Sequence, residues 1–206
     1  KDGTEKANFQ LFLTELCELL DVDKPAPAAA DNELNAYVFE RRVDMPQSNG
    51  QVNRGFIDLY RRGCFVLEGK QSNKKLDSSG WDKAIERAHK QADAYIRALP
   101  LEEGKPPFLI VVDVGGTIAL YSEFSRSGSV YTPFPDTKHY RLKMDDLRST
   151  EKRDMLAKIW NAPDSLDPSK RSAQVTRLIA NLLAELAKSL EKFHSAEAVG
   201  TFLMRC

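Results

Sequence analysis

Asp58, Glu68 and Lys70 form the pattern Asp-x9-Glu-x-Lys, carried on two short apolar runs, 55–60 and 64–70. Arg61-Arg62-Gly63 separates the runs, and a glycine-bearing link of that length predicts a β-hairpin. Side chains alternate faces along a strand, so Glu68 and Lys70 share a face with Val66 and Cys64. A turn at Arg61–Gly63 sets Tyr60 opposite Cys64 and Asp58 opposite Val66. Asp58 and Glu68 then become diagonal neighbours, roughly 7–8 Å apart. Two carboxylates at that spacing can bend toward one hard cation. Mg²⁺ suits them, because it takes oxygen ligands and keeps several waters. Such an ion polarises a phosphodiester and lowers the pKa of a bound water. Lys70 beside it would place the attacking hydroxide or offset charge on the phosphorane.

The plainer explanation is a hairpin whose charges face water. It fits poorly, because both faces are apolar: Phe56, Tyr60 and Val66 on one, Ile57, Leu59, Phe65 and Leu67 on the other. Runs of this kind belong to the covered part of a sheet. Ionised groups there are costly unless paired or bound to metal, and they cluster at functional sites.

The remaining pattern supplies the elements that would hold these groups. Residues 7–21 read as an amphipathic helix with Phe9, Phe12, Leu13, Leu16, Leu19 and Leu20 at helical spacing. Glu15 on it is a candidate further metal acid, ahead of Glu18. A Pro/Ala-rich connector covers 24–32, an extended segment 36–43, and a polar loop 71–80. A helix is predicted over 81–99, ended by Pro100, then strands at 108–114 and 117–124 around Gly115-Gly116. The order α, β, β, β, α, β, β predicts an α/β or α+β sandwich, a mixed sheet flanked by helices. From Lys143 the chain reads as helical, with Asp167-Pro168 as a helix start and Ser195 capping a last helix. The stripe Val175, Leu178, Ile179, Leu182, Leu183, Leu186 and Leu190 reads as a packing surface.

Gln91 and Tyr95 lie one turn apart on the 81–99 helix and face the same way. They could orient Lys70, Glu68 or a phosphate. His89 on the same helix reads as a surface histidine. Arg54, Arg61, Arg62, Lys74 and Lys75 form a basic rim suited to a DNA backbone.

Composition bounds the class. The chain has 206 residues, 42% hydrophobic and 29% charged, with zero formal net charge. That describes a soluble globular domain with a short appendage. No apolar run approaches a membrane span, and the polar N-terminus does not read as a signal peptide. The 3 cysteines, Cys17, Cys64 and Cys206, are too scattered for a disulfide framework or zinc site. Cys17 and Cys64 read as small core residues, and a reducing cytoplasm is the simplest compartment. The apolar stripe reaching the last residue and the missing initiator methionine suggest a fragment of a longer chain.

The Asp58…Glu68-Gly69-Lys70-Gln71 core followed by Gln91-x-x-x-Tyr95 resembles the PD-(D/E)xK nuclease superfamily, in its Gln-x-x-x-Tyr branch. The stretches 8–17, 58–68, 107–115 and 202–206 resemble the N-terminal region of MmeI-like, type IIL restriction–modification proteins. That family joins an endonuclease, a helical connector, an adenine methyltransferase using S-adenosylmethionine, and a target-recognition domain. The resemblance implies a Mg²⁺-dependent endonuclease domain over 1–139 and the start of the connector over 140–206. It implies Asp58 and Glu68 as metal ligands, Lys70 as the catalytic lysine, and double-stranded DNA as partner. One site cuts one strand, so a transient homodimer or sequential nicking is expected. Ile57 replaces the motif's proline, which carries no chemistry. No methyltransferase motif occurs in this stretch, so S-adenosylmethionine would belong to an absent domain. The competing reading is a catalytically inactive, nuclease-shaped DNA-binding scaffold of an adenine-specific methyltransferase. An acid-pair glycosidase is a poorer fit, since it needs no lysine and the hairpin offers no tryptophan for sugar stacking.

Overall fold

The computed structural model describes residues 3–47, 49–70 and 78–204. Seven strands form one mixed sheet: β1 (Tyr37–Pro46), β2 (Val52–Arg61), β3 (Phe65–Lys70), β4 (Phe108–Asp113), β5 (Thr117–Ser122), β6 (Thr132–Pro133) and β7 (Arg141–Lys143). The order is β1-β2-β3-β4-β5-β6, with β7 also on β5. Among the described strands, β3 and β4 alone pair in parallel. A parallel pair needs a crossover, and α2 (Ser79–Ala98) supplies it. Every residue of β4, Phe-Leu-Ile-Val-Val-Asp, is buried, as its uninterrupted apolar run requires.

Helices cover both faces. On one, α2 buries Trp81, Ile85, Ala88, Ala92, Tyr95 and Ile96 in a core with Val66, Leu109, Val111 and Ala119. Those positions repeat at helical spacing and turn a single stripe to the sheet. Ser78 caps the start of α2, its hydroxyl accepting from the Trp81 N–H at 3.3 Å. The Lys105 ammonium closes the other end, donating to the carbonyls of Ile96 and Leu99 at 2.9 Å each. On the opposite face lie α1 (Gly3–Leu19) and α3 (Thr150–Asn161). The Phe9 ring of α1 rests on the backbone of Gly69, where a Cβ would collide with it. Trp160 of α3 stacks at 4.4 Å from Phe65 and donates to the Tyr37 hydroxyl at 3.0 Å. The expected mixed sheet between helices is what the chain forms.

Three local expectations change. His89 is half-buried, its ring edge-on to Tyr121 at 4.4 Å, and burial pushes its pKa down. Cys17 is fully buried but Cys64 only partly. The sheet also continues past residue 139, since β7 pairs with β5. Compactness divides the chain at 164/165. The C-terminal unit, 165–206, holds α4 (Pro168–Leu190) and α5 (Ala196–Leu203), each capped as expected, by Asp167 and Ser195. Val175, Leu178, Ile179, Leu182, Leu183 and Leu186 on α4 are exposed. No helix among the described residues is long and apolar enough to cross a membrane.

Candidate active site

The site is a fork in the sheet. Strand β2 pairs with β1 from Val52 to Arg61, missing one step at Asp58. It pairs with β3 at only Arg61↔Phe65, Tyr60↔Val66 and Leu59↔Leu67. The turn is Arg62–Cys64, with Gly63 at φ 71° and the Cys64 N–H on the Arg61 carbonyl at 3.0 Å. It therefore lies one residue later than the sequence suggested. The left-handed position falls to glycine, which accepts it without steric cost. Extending the register one step sets Asp58 directly across from Glu68 rather than diagonal to it. There the ladder stops. Asp58 Oδ2 instead accepts the Gly69 N–H at 2.7 Å.

Both acids are buried, Glu68 at 1% exposure and Asp58 at 7%. Lys70 Nζ donates to Glu68 Oε1 at 3.0 Å and to Gln91 Oε1 at 3.2 Å. The Gln91 amide nitrogen donates to the same Glu68 oxygen at 2.7 Å and to the Tyr95 hydroxyl at 3.0 Å. One amide thus accepts from the lysine and donates to the acid. This fixes which end of Gln91 points where. The one-turn spacing of Gln91 and Tyr95 on α2 puts both over the Glu68 face of β3. Tyr95 in turn packs on Gly55, whose missing side chain leaves room for the ring.

These five residues line a cleft of about 300 Å³ together with Lys6, Glu40, Arg54, Gly55 and Phe56. Glu40 is an addition the sequence did not reveal. It stands at the unpaired step between Phe39↔Leu59 and Arg41↔Ile57, the position opposite Asp58. Its φ is 54°, a left-handed conformation that is uncommon for a residue other than glycine. The burial phase of β1 reverses there: Val38 is buried before it, Arg41 and Val43 after it. Lys6 of α1 donates to Glu40 Oε2 at 3.0 Å. The Asn49-Gly50 pair was the available signal, since a β1–β2 hairpin closed there brings Glu40 to Asp58. Beneath, buried Arg41 is ion-paired with Glu103, which also accepts from the Tyr60 hydroxyl at 2.5 Å. Burial and that contact push the Tyr60 phenol up.

Other expected site residues fall elsewhere. Glu15 is exposed on α1 and does not line the cleft. Arg61 and Arg62 stand at the turn end of the hairpin and serve local contacts. Arg61 lies 3.7 Å from Asp23 and over the Tyr37 ring, and Arg62 donates to the Glu33 carbonyl at 2.6 Å. Lys74 and Lys75 lie outside the described residues. Of the expected basic rim, the structure brings Arg54 to the cleft. A separate cavity in the C-terminal unit is lined by Leu190, Ala198, Val199, Phe202 and His194. It gathers no acids or amines.

The donor set suits a hard divalent cation. Asp58 and Glu68 offer carboxylate oxygens, and no thiol or imidazole lines the cleft. Among the described residues no three His, Cys, Asp or Glu side chains converge as a metal cluster. Asp58 and Glu68 could hold such an ion with water completing its shell, as Mg²⁺ accepts.

Comparison with known families returns one described as MmeI, N-terminal domain, which matches residues 1–193. This chain belongs to the MmeI N-terminal domain family. The MmeI match covers the whole sheet and all of α4, and it makes this stretch a region of a restriction–modification enzyme. No curated protein and no solved structure matches.

Proposed function

We propose that this region is a Mg²⁺-dependent DNA endonuclease domain of the PD-(D/E)xK type within a fused restriction–modification enzyme. The observation that carries it is the Lys70 ammonium held between Glu68 and Gln91, with Asp58 across the fork, in one polar cleft. Asp58 and Glu68 would hold the ion, which would polarise the phosphate and acidify a water. Lys70 orients the attacking water and offsets charge growing on the phosphorane oxygens. Gln91 keeps the ammonium and the Glu68 carboxylate in register, and Tyr95 anchors Gln91. Attack at phosphorus forms one P–O bond and releases the far oxygen as an alcohol.

The rest of the reading follows from the same family. The polypeptide would also carry an N6-adenine methyltransferase that uses S-adenosylmethionine, and it would act in the cytoplasm. Double-strand cleavage would need a transient homodimer or two sequential nicks.

A scaffold reading draws on one feature. Here each acid already has a protein partner: Glu68 Oε1 accepts from Lys70 and Gln91, and Asp58 Oδ2 from the Gly69 N–H. Plasmid cleavage with Mg²⁺ separates the two. Wild type nicks or linearises the plasmid, and Lys70→Ala is slower by at least about a hundredfold, the range of a positioned charge in a dry site. Equal inertness of both, with DNA binding retained, would favour the scaffold.

A further inference from the structure

Past the fork, β1 and β2 continue as a two-stranded ribbon, from Arg41↔Ile57 to Pro46↔Val52. Its inner face is covered, with Val43 and Ile57 buried and Gly55 under the Tyr95 ring. Its outer face pairs Arg42 with Phe56 and Asp44 with Arg54. Phe56 is 47% exposed, yet it lines the same cleft as Asp58 and Glu68. Lys6, Arg54 and Lys70 line that cleft too, set against the carboxylates Glu40, Asp58 and Glu68. An aromatic face among cations is the combination that single strands use, rings stacking on bases while amines track the backbone. The spacing agrees. Phe56 is two residues from Asp58, about 6.6 Å along a strand. Nucleotides rise about 3.4 Å each along a duplex strand, so the ring falls within one or two nucleotides of a phosphate at the acids.

We propose that Phe56 stacks on a base flanking the phosphate that the ion at Asp58 and Glu68 would hold, while Arg54 contacts the backbone of that DNA strand. This rests on the nuclease reading and adds the residue that positions the strand. Stacking and charge leave different marks. Loss of stacking weakens binding by the same factor at every salt concentration, whereas loss of a phosphate contact reduces the salt slope by about one.

The test is fluorescence anisotropy of the protein with a labelled single-stranded DNA in Ca²⁺, a hard cation for the two carboxylates, across a salt series. Phe56→Ala and Phe56→Leu each raise Kd about tenfold with an unchanged slope. Arg54→Gln lowers the slope. In Phe56→Trp, added DNA quenches the new surface emission with the same midpoint, Trp81 and Trp160 being buried. Wild-type affinity in Phe56→Ala, full rescue by leucine, or an unquenched Phe56→Trp would overturn the proposal. Should the wild-type protein bind no DNA at all, the nuclease reading goes with it. A protein that binds and cuts while Phe56→Ala binds equally well loses this inference alone.

Discussion

Glu68→Gln is expected to lower phosphodiester cleavage by at least three orders of magnitude while the protein melts no earlier than wild type. Glu68 is 1% exposed, and its Oε1 accepts from both Lys70 and Gln91. Replacing the carboxylate by an amide removes one of two anionic ligands for the ion. It also leaves the Lys70 ammonium without its charged partner. Metal-based charge stabilisation amounts to several kcal/mol, and each 1.36 kcal/mol is tenfold in rate. About 4 kcal/mol therefore gives the stated loss. Stability does not fall with it, because Lys70 is 26% exposed and water can take up its charge, while the glutamine oxygen can still accept from Lys70 and Gln91 and a neutral amide is cheaper to bury than a carboxylate. Functional sites often trade stability in this manner. Single-turnover cleavage and a thermal melt on the same preparation check the pair. A fall in activity accompanied by an equally large fall in melting temperature would mean that Glu68 serves the fold rather than the chemistry.

Gly69→Ala is expected to cost about 3 kcal/mol of stability, the upper part of the range for overpacking a core. A Cβ at Gly69 would lie inside the Phe9 ring, on the face opposite Glu68 and Lys70. Phe9 belongs to the buried row Phe9, Leu13, Leu16, Cys17 and Leu20, so the ring cannot retreat without lifting α1. For a protein of this size the change corresponds to a fall in Tm on the order of 10 °C. The cause is a collision, so it disappears with its partner. In a Phe9→Ala background, Gly69→Ala costs little, and the double-mutant cycle shows strong coupling. Additive effects would place the damage in the backbone of β3 instead.

Much of the site was legible before any coordinates. Period two along Glu68-x-Lys70 and one-turn spacing in Gln91-x-x-x-Tyr95 survive small errors of boundary. The turn lies one residue later than expected, yet either register keeps Asp58 and Glu68 on one face. A two-step change in pairing preserves parity. What failed was inference from nearness in sequence. Arg61 and Arg62 follow Asp58 closely, but a strand carries them about 10 Å away at 3.3 Å per residue. Phe56 read as core, because the alternation did not reveal that β3 departs from β2 after Leu59. Glu40 was missed as well, although a hairpin closed at Asn49-Gly50 would have brought it to Asp58. Its left-handed backbone sits in a run that reads as an ordinary strand, and the burial phase reverses there without a glycine to mark the place.

The claim under all of this is that Asp58 and Glu68 jointly hold one divalent cation. Diffraction from crystals of the protein grown with Mn²⁺, collected near the manganese edge, tests it without relying on cleavage. One anomalous peak within ligand distance of both carboxylates is the expected result, absent in Asp58→Asn. An empty fork at saturating Mn²⁺, or a peak bound away from either acid, would contradict the account.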